Sequence, residues 1–168
     1  IKVYDQLNKF NPFSEVSFLL AHQTLMKGLI SNAGQYRKSG AGIVKGAAIT
    51  HLAPGASNVP HLMKNLFRYL KKKEELLLIK SCVFHYEMEF IHPFADGNGR
   101  MGRLWQTLLL IQQYPVLEFL PFETLISRNQ NKYYQALSIS DKQGQSTYFI
   151  GFMLKILSDS LDELLTER

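Results

Sequence analysis

One apolar segment sets the strongest limit on how this chain can fold. The string EELLLIKSCVFHYEMEFI, residues 74–91, is apolar on nearly every side of a helical projection. A helix without a polar face has to be covered all round by other elements. Pro93 disfavours helical backbone in the residue before it, so this helix is predicted to end near that point. The sequence therefore predicts a central helix wrapped by the rest of the chain.

Helical periodicity dominates most of the remaining sequence. A first helix is predicted after Ser14, a candidate N-cap residue, with Val16, Leu19 and Leu20 on its apolar side and the pattern continuing to Ile30. A second helix is predicted from Pro60, and its apolar positions are Leu62, Leu66, Phe67 and Leu70. Further helices are predicted from near Gly99 through RLWQTLLLIQQY and around residues 128–138 and 147–165. The fold class is therefore expected to be mainly α.

Residues 34–60 interrupt this helical pattern. The string GQYRKSGAGIVKGAAITHLAPGASNVP is rich in glycine and proline and has short β-like pieces near Ile43-Val44 and Ala48–Thr50. Long loops are uncommon in compact domains unless they serve a function. We expect an exposed hairpin and loop between helices.

The composition is that of one folded, soluble domain. The chain has 168 residues, of which 46% are hydrophobic and 20% charged. The formal net charge of +5 is modest. Its one compact basic run, Lys71-Lys72-Lys73, is typical of a solvated helix face, so nucleic-acid binding is not predicted. No membrane span or signal peptide is visible in the sequence.

The single cysteine carries information about the compartment. Cys82 has no partner for an intrachain disulfide, which fits a reducing, cytoplasmic environment. Its apolar neighbours raise the pKa expected of the thiol, which argues against a nucleophile. Cys82 is therefore predicted to be a small core residue.

The string IHPFADGNGRMGR, residues 91–103, follows the central helix directly. Its glycine-rich turn leads into the next helix, which places consecutive backbone N–H groups and a helix N-terminus around one small volume. Arg100 and Arg103 lie three residues apart on that helix and project from the same side. Two guanidinium groups above backbone amides suit a polyphosphate better than a single carboxylate.

Two other side chains of this string suggest chemistry on the bound anion. Asp96 would repel a phosphate unless a cation lay between them, and Mg²⁺ prefers one or two carboxylates together with phosphate oxygens. His92, with a pKa near neutrality, can take a proton from an attacking hydroxyl group. Phe94 is predicted to point inward and hold the turn.

Other nucleotide sites fit the string less well. Gly97, Gly99 and Gly102 match the dinucleotide fingerprint G-x-G-x-x-G, and Glu118 lies about 20 residues further on. That fingerprint requires a βαβ unit, whereas the element before it here is predicted to be a helix. A kinase-type glycine-rich loop lacks its paired strands, and a Walker loop lacks its Gly-Lys-Ser/Thr.

A transition-metal site is a further alternative. His85, Glu89 and His92 are spaced i, i+4, i+7 and could line one helix face. The other interpretation is that His85 and Glu89 support the turn or pack beside it, which leaves His92 for the anion site. The remaining histidines, His22, His51 and His61, carry no motif and are expected to be surface residues or internally hydrogen-bonded.

The same string matches the signature of the Fic family, H-x-F-x-[D/E]-G-N-G-R-x-x-R, at every specified position. The matching residues are His92, Phe94, Asp96, Gly97, Asn98, Gly99, Arg100 and Arg103. The stretches GQYR, GIVKG with NVPHLM downstream, and RNQNKYYQAL also resemble the family. The resemblance implies one Fic-type catalytic domain over residues 1–168. It would be a compact helical bundle with a short β-hairpin flap at about 34–60 and the motif at 92–103.

Fic proteins transfer AMP from ATP to a hydroxyl side chain of a target protein and release pyrophosphate. The resemblance thus implies a Mg²⁺-dependent protein adenylyltransferase. His92 resembles the base that deprotonates the target Ser, Thr or Tyr, and Asp96 the Mg²⁺ ligand. The amides of Gly97–Gly99 with Asn98 resemble the anion hole for the α-phosphate. Arg100 and Arg103 resemble the residues that hold the outer phosphates.

Three other residues enter through the same resemblance. Gly102 belongs to the nucleotide-binding motif. Tyr133 and Tyr134 resemble the residues that flank the nucleotide base, with packing of an amphipathic helix as the alternative. Related Doc-type kinases carry Lys where this chain has Gly99, so Gly99 favours transfer of AMP. Two alternatives to AMP transfer remain. The chain could be a non-catalytic nucleotide-binding interaction module, or it could transfer phosphate, UMP or phosphocholine.

The resemblance also implies partners. The flap would pair with the target protein by adding a strand. Many family members carry an inhibitory helix with [S/T]-x-x-x-E-[G/N], and no Ser or Thr in this chain is followed by Glu in that frame. An inhibitory segment is therefore expected on a missing N-terminal part, on a separate protein such as an antitoxin, or nowhere. The start at Ile1 favours the missing segment.

Overall fold

The computed structural model describes residues 3–45, 48–120 and 122–166. It contains α1 (Glu15–Leu25), α2 (Val59–Leu70), α3 (Leu77–Ile91), α4 (Asn98–Ile111), α5 (Phe122–Arg128), α6 (Gln130–Gln143) and α7 (Thr147–Thr166), with β1 (Gly42–Lys45) and β2 (Ala48–Leu52). Short 3-10 helices cover Tyr4–Lys9, Ala56–Asn58 and Pro115–Phe119. The prediction of a mainly α fold is confirmed. Within the described residues, no helix is both long and apolar enough to cross a membrane.

Helix α3 occupies the centre that its apolar sequence predicts. It packs against α2, α4 and α7. Phe84 and Met88 join a core cluster on one side of α3, while Cys82 and Tyr86 join a second cluster on the other. Because both clusters include residues of α3, this helix connects the two halves of the core. Burial raises the pKa of the Cys82 thiol to about 11, as expected for a core cysteine.

The first helix shows a difference from the prediction. Ser14 caps α1 as predicted, and its hydroxyl accepts a hydrogen bond from the Ser17 amide. The buried side, however, carries Phe18, Ala21 and His22, whereas Val16 is 77% exposed. Apolar residues lie on both sides of this helix, so periodicity alone could not decide which side faces the core. The helix also ends at Leu25 rather than near Ile30.

The predicted hairpin is present. Strands β1 and β2 pair antiparallel, with a register irregularity between Ile43 and Val44. At the base of the hairpin the Ala53 amide bonds to the Ala41 carbonyl. Residues 46 and 47 of the flap lie outside the described residues. Helix α2 then starts with Pro60 in its first turn, as its sequence predicts.

Two elements have no strong signal in the sequence. The 3-10 helix Tyr4–Lys9 and the seven-residue helix α5 are both too short to show a repeated apolar period. Helix α5 nevertheless matters to the site, because its first turn carries Glu123, which pairs with Arg103, one of the two predicted phosphate-binding arginines.

Candidate active site at the α3–α4 turn

The turn between α3 and α4 is set by two left-handed residues. Helix α3 ends at Ile91, and His92 follows with φ 51°, the only non-glycine residue with positive φ among the described residues. Gly97 has φ 87° and precedes the first residue of α4. Non-glycine residues adopt this conformation at a cost of about 1 kcal/mol or more, so surrounding contacts have to hold His92 in it.

Glycine is required at position 97 for space as well as for backbone angle. A Cβ atom there would lie 2.7 Å from Sδ of the buried Met26. Phe94 is fully buried as predicted and stacks on the His22 ring with centroids 3.6 Å apart. Helix α1 therefore forms the back wall of the turn.

Asn98 closes the turn from inside. Its side chain is buried and bonds to both backbone groups of Phe94, accepting from the amide at 2.8 Å and donating to the carbonyl at 2.9 Å. The side chain thus determines the shape of the turn, while its own backbone amide stays at the start of α4.

The first turn of α4 differs by one residue from the predicted anion hole of Gly97–Gly99, because the Gly97 amide already donates to Asp96 Oδ1. The first intrahelical bond runs from the Met101 amide to the Gly97 carbonyl, so the amides of Asn98, Gly99 and Arg100 precede the helical ladder. We call these three amides, with the Arg100 and Arg103 guanidinium groups, the anion cradle. Free amides, a helix N-terminus and two cations together favour a polyphosphate.

Asp96 lies at the open edge of the cradle. Its side chain is 61% exposed, and Oδ1 accepts from the Gly97 amide at 2.6 Å while Oδ2 lies 3.4 Å from Arg100. No group of three or more candidate ligands forms a cation site in the described part of the chain. A single exposed carboxylate beside a phosphate site fits Mg²⁺, which takes its remaining ligands from phosphate oxygens and water.

The His92 imidazole is half-buried beside the turn, and among the described residues its buried Nδ1 has no hydrogen-bond partner. Burial lowers the pKa of His92, and the charges of Arg37 and His51 act in the same direction. The Glu89 carbonyl and Asp96 oppose this shift. The ring therefore favours its neutral, proton-accepting form at neutral pH.

His22 supports the turn in a way that the sequence did not reveal. It is fully buried, its Nδ1 accepts from the Gly34 amide at 2.8 Å, and its Nε2 lies 2.9 Å from the Asp96 carbonyl. Because the amide is a donor and the carbonyl an acceptor, the neutral Nε2–H tautomer satisfies both. Burial lowers the pKa of His22, which agrees with that neutral form.

The two arginines of the motif have different surroundings. Arg100 is partly exposed and pairs only loosely with Asp96. Arg103 is mostly buried, and its Nε and Nη2 bond to the two oxygens of Glu123 at 2.5 and 3.0 Å. This forked pair holds one edge of the guanidinium, while Nη1 lies toward Gly99.

A buried polar network lies beneath the cradle. The Gln106 amide nitrogen contacts Ser81 and Cys82, so its oxygen faces His85, whose Nδ1 donates to it at 2.6 Å. The Tyr133 hydroxyl donates to His85 Nε2 at 2.9 Å. Both ring nitrogens of His85 are occupied, and burial lowers its pKa to about 4. This network supports the interpretation that His85 packs beneath the turn.

Glu89 is the unusual member of this region. It is buried, Oε1 has no hydrogen-bond partner within the described residues, and the His85 Nε2 atom lies 4.0 Å away. Burial raises the pKa of Glu89 to about 7, against the opposing effects of Arg103 and Tyr133. A Cβ atom on Gly102 would come within 2.9 Å of that oxygen. Gly102 therefore faces α3, where it allows the two helices to approach closely.

The two tyrosines predicted to flank the nucleotide base differ in their exposure to solvent. Tyr133 is buried, with its hydroxyl on His85, whereas Tyr134 is 43% exposed. Their rings meet edge to face with centroids 5.4 Å apart. Tyr134 is the one whose ring is open to solvent.

Comparison with known proteins agrees with this architecture. The family model described as Fic/DOC family matches residues 12–110. A probable protein adenylyltransferase of Aquifex aeolicus is 33% identical over 74% of this chain and 36% of its own length. The protein adenylyltransferase Fic of Aedes aegypti is 31% identical over 67% of this chain and 22% of its own length. The chain thus spans about a third or less of these curated relatives.

Solved structures show the same fold. A Fic family protein from Desulfovibrio desulfuricans superposes with a TM-score of 0.93 at 46% identity, over 99% of this chain and 51% of that one. Fic-1 from C. elegans superposes with a TM-score of 0.72 at 20% identity, over 98% of this chain and 48% of that one, and so supports the fold alone. With the family model covering more than half of its length, the chain belongs to the Fic/DOC family.

Proposed function

We propose that this chain is a Mg²⁺-dependent protein adenylyltransferase that transfers AMP from ATP to a hydroxyl group of a target protein. The observation that carries the proposal is the α3–α4 turn, which carries His92, Asp96 and the anion cradle on one short segment between the end of α3 and the second turn of α4. The curated relatives named protein adenylyltransferases support the same reaction. We propose a cytoplasmic setting, in keeping with the single buried free cysteine.

The proposed reaction is an in-line displacement at the α-phosphate. His92 takes the proton of the target hydroxyl, whose oxygen forms a bond to the α-phosphorus. The bond between the α-phosphorus and the oxygen bridging to the β-phosphate breaks, and pyrophosphate leaves with that electron pair. The pKa of His92, lowered mainly by burial, suits it to accept the proton near neutral pH.

The cradle stabilises the charge that moves during this displacement. Amides of Asn98, Gly99 and Arg100 bind phosphate oxygens at the N-terminus of α4, where the helix dipole favours negative charge. Arg100 and Arg103 neutralise the leaving pyrophosphate. Asp96 would hold Mg²⁺, which would supply positive charge to offset the negative charge of the phosphates.

The remaining roles are proposed for other parts of the fold. Tyr134, the exposed member of its pair, is proposed to contact the nucleotide base, with the buried Tyr133 packed against its ring. Gly102 supports the cradle by permitting the contact between α3 and α4. The flap is proposed to receive the target protein as an added strand. An inhibitory segment or antitoxin would act on this site from outside the described residues.

The test is transfer of a labelled nucleotide. The chain is incubated with ATP labelled in the α-phosphate and with Mg²⁺ in a cell lysate, and labelled proteins are identified by mass spectrometry. We expect an added AMP, and His92→Ala should reduce the rate of labelling at least about a hundredfold, the usual contribution of a positioned general base. His61→Ala is the matched control, because His61 is exposed on α2 and its side chain bonds only to Asn65 among the described residues.

Two outcomes would contradict the proposal. Equal labelling by the wild type and His92→Ala would exclude His92 as the base. An added phosphate, UMP or phosphocholine would replace AMP as the transferred group, and ATP binding without any transfer would indicate a nucleotide-binding interaction module.

A further inference from the structure

Arg37 is a buried cation that the catalytic chemistry above does not use. Its side chain is 3% exposed, and among the described residues it has no carboxylate within salt-bridge distance. Its partners are four backbone carbonyls, those of Ile91, His92, Ser39 and Pro54. An arginine kept in such a site depends on the geometry of those carbonyls for its stability.

Two of these carbonyls belong to the end of α3. Arg37 Nε donates to the His92 carbonyl at 2.7 Å, and Nη2 donates to the Ile91 carbonyl at 3.2 Å. The Arg37 amide also donates to the Pro93 carbonyl at 2.9 Å. These bonds satisfy carbonyls that the helix leaves free at its C-terminus, where the dipole also favours a positive charge.

The other two carbonyls belong to the two ends of the flap hairpin. Nη1 donates to the Ser39 carbonyl, three residues before β1, and Nη2 donates to the Pro54 carbonyl, two residues after β2. One planar guanidinium therefore joins both ends of the hairpin to the backbone of His92. A shift of the flap relative to α3 would break part of this set.

The backbone conformation of His92 is the reason why the bonds from Arg37 matter for the position of the imidazole. His92 is held at φ 51°, a strained region for a non-glycine residue, and its carbonyl is bonded directly to Arg37. Strained residues persist only where surrounding contacts determine them. The direction in which the His92 imidazole points depends on this backbone conformation. The orientation of the ring therefore depends on the hydrogen bonds that Arg37 makes.

We propose that Arg37 is a positioning residue that couples the flap to His92. A target strand that pairs with the flap would fix the positions of the Ser39 and Pro54 carbonyls. Because the Arg37 guanidinium bonds to these carbonyls and to the His92 carbonyl, it would then hold the His92 backbone in its left-handed conformation. This proposal rests on the proposed function of the site, and it assigns Arg37 no contact with nucleotide or target, since its three nitrogens already bond to carbonyls.

The variants separate charge from geometry. Arg37→Lys keeps the positive charge but loses the planar fork, so it cannot reach the carbonyls of both α3 and the flap. Arg37→Gln removes the charge as well. Arg68→Lys and Arg68→Gln are matched controls, because Arg68 is exposed on α2 and, within the part of the chain that the structure describes, its side chain bonds only to Asn65.

The first readout is an NMR titration of the His92 ring, which needs neither ATP nor target. Arg37 is one of the charges that lower the pKa of His92, together with His51, while Asp96 and the Glu89 carbonyl raise it. We expect Arg37→Gln to raise this pKa relative to Arg37→Lys, and both Arg68 variants to leave it unchanged. A His92 pKa in Arg37→Gln equal to that of the wild type would show that the charge of Arg37 does not act on His92.

The second readout tests the coupling itself. Ala53→Pro removes the amide that bonds to Ala41 at the base of the flap. We expect it to shift the His92 ring resonances in the wild-type background and to have little effect in Arg37→Lys, as a double-mutant cycle requires for coupled sites. Equal shifts in both backgrounds would overturn the proposal. Thermal unfolding of each variant confirms that it is folded under the conditions of the titration.

The third readout is the labelling reaction. In Arg37→Lys we expect the rate of AMP transfer to fall between about tenfold and a hundredfold through misplacement of the base, with the KM for ATP changed by less than about twofold. An unchanged rate, or a loss confined to ATP affinity, would contradict a positioning role. If the wild type transfers no AMP, the proposed function fails while the two NMR readouts still decide the coupling.

Discussion

At the scale of single residues, the site combines groups held in unusual states by burial. His22 and His85 are kept neutral, and each uses both ring nitrogens for internal bonds. Glu89 is the opposite case, a buried acid whose pKa is raised to about 7. Because ionising Glu89 in the folded protein is unfavourable, its effect on stability depends on pH.

Glu89→Gln should therefore stabilise the protein at alkaline pH. The folded pKa of Glu89 lies above the ordinary value of 4.5, so its contribution to stability is fully present below about pH 4.5 and is lost as pH rises through 7. Gln keeps the shape without ionising. We expect a gain on the order of 2 kcal/mol at pH 8 and little change at pH 4.5, measured by denaturant unfolding at both pH values.

The matched control for this comparison is Glu118→Gln, since Glu118 is exposed. It should leave the free energy of unfolding unchanged at both pH values. A loss of stability at pH 8 in Glu89→Gln would show instead that the attraction between ionised Glu89 and Arg103 outweighs the cost of burial.

At the scale of elements, two helix C-termini are closed by cations from elsewhere in the chain. Lys80 on α3 donates to the Leu70 and Lys72 carbonyls at the end of α2, at 3.0 and 2.6 Å. Arg37 does the same at the end of α3. In both places a positive charge meets the negative end of a helix dipole, which stabilises the packing of the helix against its neighbour.

The α3–α4 contact depends on a glycine. A methyl group at Gly102 would lie 2.9 Å from the Glu89 carboxylate and 3.0 Å from the His85 ring, both buried. Gly102→Ala should therefore destabilise the protein by about 1–3 kcal/mol, the range for overpacking. The measurement is the midpoint of denaturant unfolding at constant slope.

Gly151→Ala is the control with the opposite sign. Gly151 lies in α7 and is exposed, and a methyl group added there would meet no other atom within 4 Å. Alanine there should stabilise the protein by up to about 1 kcal/mol through helix propensity. Equal effects at the two positions would contradict the close contact at Gly102.

At the scale of the whole molecule, α3 makes the two core clusters interdependent. Trp105, the single tryptophan of the chain, is fully buried in the first cluster, while α7 packs in the second. Loss of α3 would open both clusters at once. We expect tryptophan fluorescence and helical circular dichroism to report the same unfolding midpoint. A circular dichroism signal lost in two steps, with fluorescence following only one of them, would contradict this expectation.

Local patterns were enough to predict much of the architecture. The central helix follows from its apolar sequence and Pro93, the hairpin from its glycines, and the α3–α4 turn from its motif. The buried side of α1 could not be predicted, because Val16 and Phe18 are both apolar and only tertiary packing separates them. Local sequence patterns thus identify a helix more readily than they identify which side of the helix is buried.

Long-range polar contacts are the part of the site that sequence does not reveal. His22 meets Asp96 across 74 residues, and Arg37 meets His92 across 55. Neither residue has a neighbouring motif that indicates its partner. The phosphate-binding and catalytic roles of His92, Asp96 and the arginines stay predictions until the labelling and titration experiments are made.

The Asn98 side chain has a consequence for how a nucleotide would arrive. Because it bonds to both backbone groups of Phe94, the part of the turn from Phe94 to Asn98 is held in place without a ligand. Little conformational entropy then remains to be lost at the turn when phosphates enter. The association rate constant for the phosphates is then expected to depend on diffusion and on the ionic strength of the solution.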